Sequence, residues 1–281
     1  MSRSRLSLWK RGAEYLKAKG VPEYSHDSRE LLLSTAEISL EELYIDGEEE
    51  VSQDSIKKYS DALIRRGNRE PLQYITGRTE FMGLPFILRP GVLIPRQDTE
   101  ILTEAVLDAA KEHPLRSVLE LCTGSGCIAV ALNRIGGLTV AASDISEAAL
   151  ALAAENARAN GADIELLQSD IYSGIYSSRV FDAIAANPPY IPSGEIPGLM
   201  PEVRDFEPLS ALDGGPDGLT FYRKILSGAP LKAGGFIFLE IGYNQGEDVK
   251  ELLLAAGFGG IEIKKDLSGL DRVIYGKKRE V

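Results

Sequence analysis

Apolar residues recur at helical intervals through the first quarter of the chain. Leu6, Trp9 and Leu16 are spaced so that one face of a helix would be apolar, and the spacing continues to a turn signal at Gly67-Asn68. No alternating strand pattern occurs in this stretch of the sequence. The pattern predicts a small all-α N-terminal domain over residues 1–72.

The pattern changes at residue 73. Short apolar runs follow, and they are interrupted by Gly83, Pro85, Pro90 and Gly91. Runs of this length between turn-forming residues are typical of a β-hairpin. We predict that residues 73–95 form a hairpin that connects the helical domain to the rest of the chain.

From residue 96 to residue 281, short apolar runs alternate with amphipathic segments. Helices predicted between most of these runs make this an α/β fold with a doubly wound, mostly parallel, seven-stranded sheet. Only residues 265–271 separate the last two strands, which is too short for a crossover helix, so that pair is predicted to be antiparallel at one edge. The predicted strands are residues 117–121, 138–143, 164–168, 181–186, 236–241, 260–264 and 272–275.

The composition leaves room for a sizeable core and argues against general nucleic-acid binding. Of the 281 residues, 44% are hydrophobic and 26% are charged, as in ordinary globular proteins. Lys and Arg number 31 against 42 Asp and Glu, which gives a net charge of −11. Because a surface of that sign repels phosphate backbones, a protein or small-molecule substrate is favoured.

Metal chemistry, histidine-based catalysis and membrane insertion find little support in the sequence. Cys122 and Cys127 have no histidine near them, and the two histidines, His26 and His113, lie outside every motif. The N-terminus lacks the apolar core of a signal peptide, and no run approaches the ~18 apolar residues of a membrane span. We therefore expect a cytoplasmic protein without a metal cofactor.

A glycine-rich turn, Glu120-Leu-Cys-Thr-Gly-Ser-Gly126, follows the first strand of the predicted sheet. In an open α/β sheet the carboxyl ends of the strands form the crevice in which ligands bind. Gly124 and Gly126 have no side chains, so a ligand can approach the backbone closely. Asp144 ends the next strand, where a carboxylate can accept hydrogen bonds from both hydroxyls of a ribose. Dinucleotides and S-adenosylmethionine both fit this arrangement.

Two details favour S-adenosylmethionine over a nicotinamide cofactor. Ala129 stands where the three-glycine dinucleotide pattern has its last glycine. Asp170 follows the third strand of the sheet, where it can help to hold the exocyclic amine of an adenine. The predicted cofactor is therefore S-adenosyl-L-methionine, with S-adenosyl-L-homocysteine as its product.

The tetrapeptide Asn187-Pro188-Pro189-Tyr190 comes directly after the predicted strand 181–186. On its own it would be read as a loop of turn-forming residues. Its position at the carboxyl end of a buried strand, beside the cofactor crevice, favours a catalytic and substrate-binding role.

The residue types in this tetrapeptide suit methylation of a planar NH2 group. Such a nitrogen carries two hydrogens, so the side-chain oxygen of Asn187 and the backbone carbonyl of Pro188 suffice to orient it. The prolines fix these acceptors before the substrate binds, and Tyr190 offers a flat face on which an amide or a base can stack. Catalysis is then mostly the alignment of nitrogen, methyl carbon and sulfur, and no strong base is required.

These motifs belong to a longer series that resembles the HemK/PrmC family, the peptide chain release factor N5-glutamine methyltransferases. The resemblance covers nearly the whole chain and is far more specific than Asn-Pro-Pro-Tyr, which also occurs in adenine-N6 DNA methyltransferases. Two positions depart from the family pattern: Gln97-Asp98, where Pro followed by an acid is usual, and Cys122, where Gly is usual. The matching motifs are Pro71–Gly77, Val92–Arg96, Thr99-Glu100, Thr123–Ala129, Ser143–Ser146, Asn187–Ile191, Glu207-Pro208, Gly214–Leu219, Leu239–Gly242 and Arg272-Val273.

The resemblance implies a fold, a reaction and a partner. The fold would be that of class I S-adenosylmethionine methyltransferases, and the substrate would be the glutamine N5 in the Gly-Gly-Gln motif of class I peptide chain release factors. The N-terminal helices would help to dock the release factor, and Asn187 to Tyr190 would grip the glutamine. Together with Glu120 at the start of the glycine turn, the expected cofactor contacts are Cys122, Thr123, Gly124, Ser125, Gly126, Asp144, Asp170, Ile171 and Asn187.

Other functions stay open on the sequence alone. An adenine methyltransferase acting on DNA or RNA could use the same tetrapeptide, but it needs a basic groove that the net charge of −11 disfavours. A non-catalytic binding module could keep the fold, although the joint presence of Asn187, Tyr190 and Asp144 argues against it. A nicotinamide oxidoreductase is the weakest alternative.

Arg96 and Glu100 are four residues apart at the start of a predicted helix. One interpretation is an ion pair near the mouth of the cofactor site. The other is a partly exposed pair one helical turn apart that contributes only a few tenths of a kcal/mol.

Overall fold

The computed structural model describes residues 3–175 and 178–279. Their contacts group into two compact units. A helical unit runs through Arg78 and includes Met200–Phe206, and an α/β unit comprises Thr79–Leu199 and the chain from Glu207 onward. The division into residues 1–72, 73–95 and 96–281 that the sequence suggested remains a prediction. Among the described residues, no helix combines the length and the apolar character needed to cross a membrane.

The helical unit confirms the all-α prediction for the start of the chain. Leu8, Leu31, Leu32 and Tyr59 are buried in its core, as the helical spacing of apolar residues requires. Met200–Phe206 adds a short helix, Pro201–Arg204, which is α9 in chain order. The other helices of this unit are α1 (Arg5–Ala18), α2 (Tyr24–Ala36), α3 (Leu40–Ile45), α4 (Gln53–Gly67) and α5 (Leu72–Thr76).

A buried ion-pair cluster holds the segment 200–206 in the helical unit. The guanidinium of Arg66 is 7% exposed, and it donates to Asp27 Oδ2 at 2.7 Å and to Glu202 Oε1 at 3.0 Å. Arg69 Nη2 donates to Glu202 Oε2 at 2.7 Å. Burial alone would raise the pKa of Glu202, but the bonds from Arg69 and Arg66 outweigh it and leave this pKa below its ordinary value.

A two-stranded hairpin, β1 (Arg78–Phe81) and β2 (Leu84–Ile87), follows the helices. Met82 and Gly83 form its turn with φ of 52° and 74°, as two-residue hairpin turns require. The hairpin occupies part of the predicted connector segment 73–95, and the connector itself stays a prediction. Its first residues are helical because they belong to α5, which ends at Gly77 in the left-handed conformation.

The α/β unit contains the predicted seven-stranded sheet, in the order β5-β4-β3-β6-β7-β9-β8. The first five strands of this order pair in parallel, and β9 is antiparallel to both of its neighbours. The antiparallel pairing of β8 with β9 at the edge was predicted. The chain moves from β3 outward to β4 and β5 and then returns to place β6 on the other side of β3. The strands are β3 (Ser117–Leu121), β4 (Thr139–Asp144), β5 (Ile164–Gln168), β6 (Phe181–Ala186), β7 (Leu231–Glu240), β8 (Phe258–Lys265) and β9 (Asp271–Lys278).

Alternate residues of the central strands enter two separate cores. Val118 of β3 packs with α6 and α7 on one face, whereas Leu119 packs with α10 and α11 on the other. Burial on both faces is typical of a parallel sheet, and it leaves the carboxyl ends of β3 and β6 as the place for a ligand. The helices are α6 (Glu100–Glu112), α7 (Cys127–Gly136), α8 (Glu147–Asn160), α10 (Thr220–Leu226) and α11 (Gly246–Ala255).

Candidate active site

A cavity of about 570 Å³ opens where β3, β4, β5 and β6 end. Its volume lies within the usual range for small-molecule and cofactor sites. The loops after these strands line it, together with parts of the segments 91–96 and 208–213. The predicted site residues that line the cavity are Cys122, Thr123, Gly124, Ser125, Asp144, Asp170, Ile171, Asn187 and Pro189.

The glycine-rich turn adopts a left-handed backbone at every second residue. The φ angles are 59° at Cys122, 56° at Gly124 and 81° at Gly126. Glycine accepts this conformation freely, whereas a residue with a β-carbon is disfavoured by roughly 1–2 kcal/mol. Cys122 therefore bears a backbone strain that the glycine usual in the related family would not have.

Glu120 lies beneath the turn rather than in the cavity lining. Its side chain is fully buried, and Oε2 accepts hydrogen bonds from Thr123 Oγ1 at 2.6 Å and from the Ala129 backbone N–H at 3.0 Å. Burial raises the pKa of Glu120 to about 8. The carboxyl group thus ties the turn to the first residues of α7. A direct contact between Glu120 and the cofactor stays a prediction.

Asp144, at the end of β4, is held by two backbone N–H groups. Its Oδ2 accepts from Gly124 at 2.9 Å and its Oδ1 accepts from Ser146 at 2.9 Å. Each carboxylate oxygen has a second lone pair, so the side chain can still receive the hydroxyls of a ribose. Ser146 in turn caps α8 by accepting from the Ala149 N–H at 3.3 Å.

Asp170 and Ile171 follow β5 and form another wall of the cavity. Ile171 has a φ of 53°, which is unusual for a β-branched residue. Phe221 and Lys224 of α10 also line the cavity, with Lys224 Nζ 5.3 Å from the centre of the Phe221 ring. These two residues could not be predicted as part of the site, because in the sequence α10 resembles an ordinary amphipathic helix.

Asn187 lines the cavity, and the nitrogen of its side-chain amide is held by a hydrogen bond. Its Nδ2 donates to Thr99 Oγ1 at 3.2 Å. Among the hydrogen bonds between described residues, neither Asn187 Oδ1 nor the Pro188 carbonyl serves as an acceptor. Both oxygens therefore have lone pairs for a substrate. Pro188 is buried and is not among the residues that line the cavity, whereas Pro189 lines it.

Tyr190 does not line the cavity but is fixed beside it. Its Oη lies 3.2 Å from Glu240 Oε1, and its backbone carbonyl accepts from Gln245 Nε2 at 3.0 Å. Burial and the nearby Glu240 carboxyl raise the pKa of Tyr190. Tyr190 is therefore a neutral phenol at any physiological pH. Stacking of a substrate on its ring stays a prediction.

Arg96 and Glu100 do not pair with each other. Arg96 forms an ion pair with Glu207, while Glu100 accepts a hydrogen bond from the Met82 backbone N–H. The proposed pair fails because Gln97–Thr99 is a 3-10 turn and Arg96 before it is extended, so the two side chains are not one α-turn apart. Arg96 does line the cavity.

The residues around the cavity suit S-adenosylmethionine. A β-carbon added to Gly124 would meet only Val92, at 3.7 Å, so the turn leaves its cavity side open to a ligand. Two acids, Asp144 and Asp170, line the cavity, and acids suit a cofactor that carries hydroxyl and amine donors and a positive charge. These features agree with the cofactor predicted from the glycine-rich turn.

Two family models match the chain: the PrmC N-terminal domain over residues 7–77 and the methyltransferase small domain over residues 84–197. The release factor glutamine methyltransferase of Geobacter sulfurreducens is 40% identical over 272 residues, which is 96% of this chain and 94% of that protein. The protein of the same name from Moorella thermoacetica is 45% identical over 239 residues, covering 83% of this chain and 84% of that one. A methyltransferase of known structure from Pyrococcus furiosus shares the fold, with a TM-score of 0.51 at 20% identity over 71% of this chain and 91% of that chain. The chain therefore belongs to the release factor glutamine methyltransferase family.

Proposed function

We propose that this chain transfers a methyl group from S-adenosylmethionine to the side-chain amide nitrogen of a glutamine in class I peptide chain release factors. The observation that supports it most directly is the direction of the Asn187 amide. Asn187 Nδ2 donates a hydrogen bond to Thr99, which leaves Oδ1 of the same amide as an acceptor beside the cavity. The target glutamine is that of the Gly-Gly-Gln motif, as the family resemblance implies.

Asn187 and Pro188 supply the two acceptors that a substrate amide requires. The NH2 group of glutamine has two hydrogens in one plane, and Asn187 Oδ1 and the Pro188 carbonyl can each accept one of them. Proline restrains the backbone of the loop, so the acceptors lose little conformational freedom when the substrate binds. The substrate nitrogen is thereby held in one orientation, which accounts for most of the catalysis.

The remaining residues place the methyl donor. We expect Asp144 to accept hydrogen bonds from the ribose hydroxyls and Asp170 to accept one from the adenine amine. When bound, the cofactor supplies a methyl group made electrophilic by its sulfonium charge. As the glutamine nitrogen bonds the methyl carbon, the carbon–sulfur bond of the donor would break and leave S-adenosyl-L-homocysteine. The hydrogen bonds to Asn187 and Pro188 polarise the NH2 group in this step, and one of its protons then passes to solvent.

The helical unit is proposed to dock the release factor. The net charge of −11 disfavours a nucleic-acid substrate, so a protein partner is preferred. We also propose that the reaction takes place in the cytoplasm, where the release factor is made.

Incubation of the protein with purified release factor and methyl-labelled S-adenosylmethionine tests the proposal. Mass spectrometry of the tryptic peptide that contains Gly-Gly-Gln should show one methyl group, located on the glutamine side chain. Label that enters an adenine-containing oligonucleotide, and not the release factor, would contradict the proposal and favour a nucleic-acid methyltransferase. An absence of S-adenosylmethionine binding in calorimetry would instead favour a non-catalytic module.

A further inference from the structure

The side-chain amide of Asn187 has two possible orientations, and only one of them suits the substrate. Half a turn about its last bond exchanges the oxygen and the nitrogen. With Oδ1 toward the substrate, Asn187 accepts a hydrogen bond from the glutamine NH2. With Nδ2 toward the substrate, two donors would oppose each other. The hydrogen bond from Nδ2 to Thr99 Oγ1, at 3.2 Å, corresponds to the productive orientation.

The carboxyl group of Glu240 lies near the hydroxyl of Thr99. A hydroxyl group has a single proton, so when Thr99 Oγ1 accepts from Asn187 its own proton is free to go to another acceptor. The acceptor closest at hand is the carboxyl group of Glu240: the Thr99 side chain is near enough to lower the pKa of this carboxyl, and Glu240 Oε2 has no hydrogen-bond partner among the described residues. Both residues are buried, with 3% of Thr99 and 1% of Glu240 exposed, so water does not compete for this proton.

The same carboxyl group also holds Tyr190. Tyr190 Oη donates to Glu240 Oε1 at 3.2 Å. Glu240 lies at the end of β7, the strand next to β6, so the sheet itself brings the acid to the residues that follow β6. One buried acid is therefore connected to two members of the Asn187–Tyr190 tetrapeptide.

We propose that Thr99 and Glu240 are positioning residues that fix the Asn187 amide with its oxygen toward the substrate. This proposal rests on the function proposed above, since the orientation of the Asn187 amide matters for catalysis only if the substrate presents an NH2 group. Neither residue needs to touch the glutamine. Their effect is transmitted in two steps: Asn187 Nδ2 donates to Thr99 Oγ1, and the Thr99 hydroxyl is directed at the unpartnered oxygen of Glu240.

Thr99→Val tests the proposal, because valine keeps the shape of threonine and removes its hydroxyl group. We expect kcat for methylation of the release factor to fall on the order of 10- to 100-fold, as for a misoriented catalytic group. KM for the release factor and Kd for S-adenosylmethionine should stay close to the wild-type values. Thr99→Ser, which restores the hydroxyl, should recover most of kcat.

Thr103→Val is the matched control. Thr103 lies in α6, one turn beyond Thr99, is fully buried, and has an Oγ1 without a hydrogen-bond partner among the described residues. Its conversion to valine should leave kcat unchanged. A Thr99→Val protein with wild-type kcat would overturn the proposal. So would a Thr99→Val protein whose thermal stability and cofactor affinity fall in step with kcat, because that result indicates a merely structural role.

The orientation of the Asn187 amide can also be measured by NMR spectroscopy, without enzymatic turnover. In a 15N-labelled sample the side-chain NH2 signal of Asn187 is assigned by its disappearance in Asn187→Asp. We expect nuclear Overhauser effects from this NH2 group to the Thr99 methyl group. Their absence in the wild-type protein would overturn the proposal even if the release factor is methylated, and their presence would support the orientation even if another substrate is found.

Discussion

Gly126 lies directly against Ala153: a β-carbon on Gly126 would stand only 2.9 Å from the β-carbon of Ala153. The backbone of Gly126 is also left-handed, with a φ of 81°. The glycine-rich turn can therefore meet α8 only because residue 126 has no side chain. Gly126 does not line the cavity, so its role is to allow the glycine-rich turn to pack closely against α8.

Gly126→Ala is expected to lower the free energy of unfolding by about 2–4 kcal/mol, from left-handed strain together with overpacking. Gly137→Ala is the matched control at the other end of α7, since Gly137 has a φ of 62° but nothing within 4 Å of its added β-carbon. The control should lose only about 1 kcal/mol. Urea unfolding measures both variants, and equal losses would show that the contact with Ala153 costs nothing.

Cys122→Val should weaken cofactor binding, because a β-branched residue fits poorly at a φ of 59°. We expect a loss of about 2 kcal/mol in stability as well. Cys122→Gly should retain cofactor affinity, with a stability change below about 1 kcal/mol, since relief of strain is offset by the freer unfolded chain. Calorimetric titration with S-adenosylmethionine checks both variants. Wild-type affinity in the valine variant would refute the strain argument.

Asn187→Ala should reduce kcat by about 10²–10³-fold, in line with the loss of a preorganised hydrogen-bonding group. The protein should unfold at the wild-type denaturant concentration and still bind the cofactor. The reason is that the Asn187 side chain makes a single hydrogen bond among the described residues, to Thr99. Asn244→Ala, at an exposed position, serves as the control. Full methylation activity in the Asn187 variant would remove this residue from the mechanism.

Glu240 gives the protein a predictable dependence of stability on pH. Burial raises its pKa from 4.5 to about 7, so between these pH values the folded state binds more protons than the unfolded state. The free energy of unfolding therefore falls as the pH rises through this window, by about 3 kcal/mol in all. Glu240→Gln removes this contribution.

Unfolding of the wild type and of Glu240→Gln should be compared at about pH 5 and about pH 8, since most of the difference in bound protons falls within these roughly 3 pH units. The wild type should lose about 2–3 kcal/mol relative to the variant on going to the higher pH. Other titrating groups, such as Glu120, are common to both proteins and cancel. A constant difference between the two proteins would mean that the pKa of Glu240 is not raised.

Glu202→Gln should destabilise the helical unit by about 2 kcal/mol or more, because it leaves the largely buried Arg66 and the neighbouring Arg69 with one fewer counter-charge. Asp205→Asn removes a charge three residues away from an exposed pair with Arg204, and it should leave the free energy of unfolding nearly unchanged. Urea titration followed by circular dichroism compares the two variants. Similar losses would show that the cluster contributes no more than a surface pair.

Elements bounded by clear turn signals could be predicted from the sequence to the residue. β3, β5 and β6 begin and end where their apolar runs do. The apolar spacing around Tyr74 fits a short helix as well as a strand, and in the structure Tyr74 belongs to α5. The prediction that Arg96 pairs with Glu100 was wrong, because a 3-10 turn and the first turn of an α-helix have similar sequences.

The site could be predicted where its residues follow a strand directly. Asp144 and Asn187 do so, and both line the cavity. Thr99, Phe221 and Lys224 could not be assigned a role, because their approach to the cavity depends on how helices pack across the sheet. The position of Glu240 could have indicated a role in the site, because it is an acid near the end of an apolar strand, as Glu120 is.

The helical unit is discontinuous in the sequence, because the chain leaves it after Arg78 and rejoins it for Met200–Phe206. A fragment that stops at residue 78 would lack Glu202 and would leave the guanidinium of Arg66 with Asp27 as its remaining partner in the cluster. The unit therefore cannot be excised, or exchanged between relatives, by a single cut. A chimaera that grafts the helices of another species would have to carry two inserts, the second of them only seven residues long.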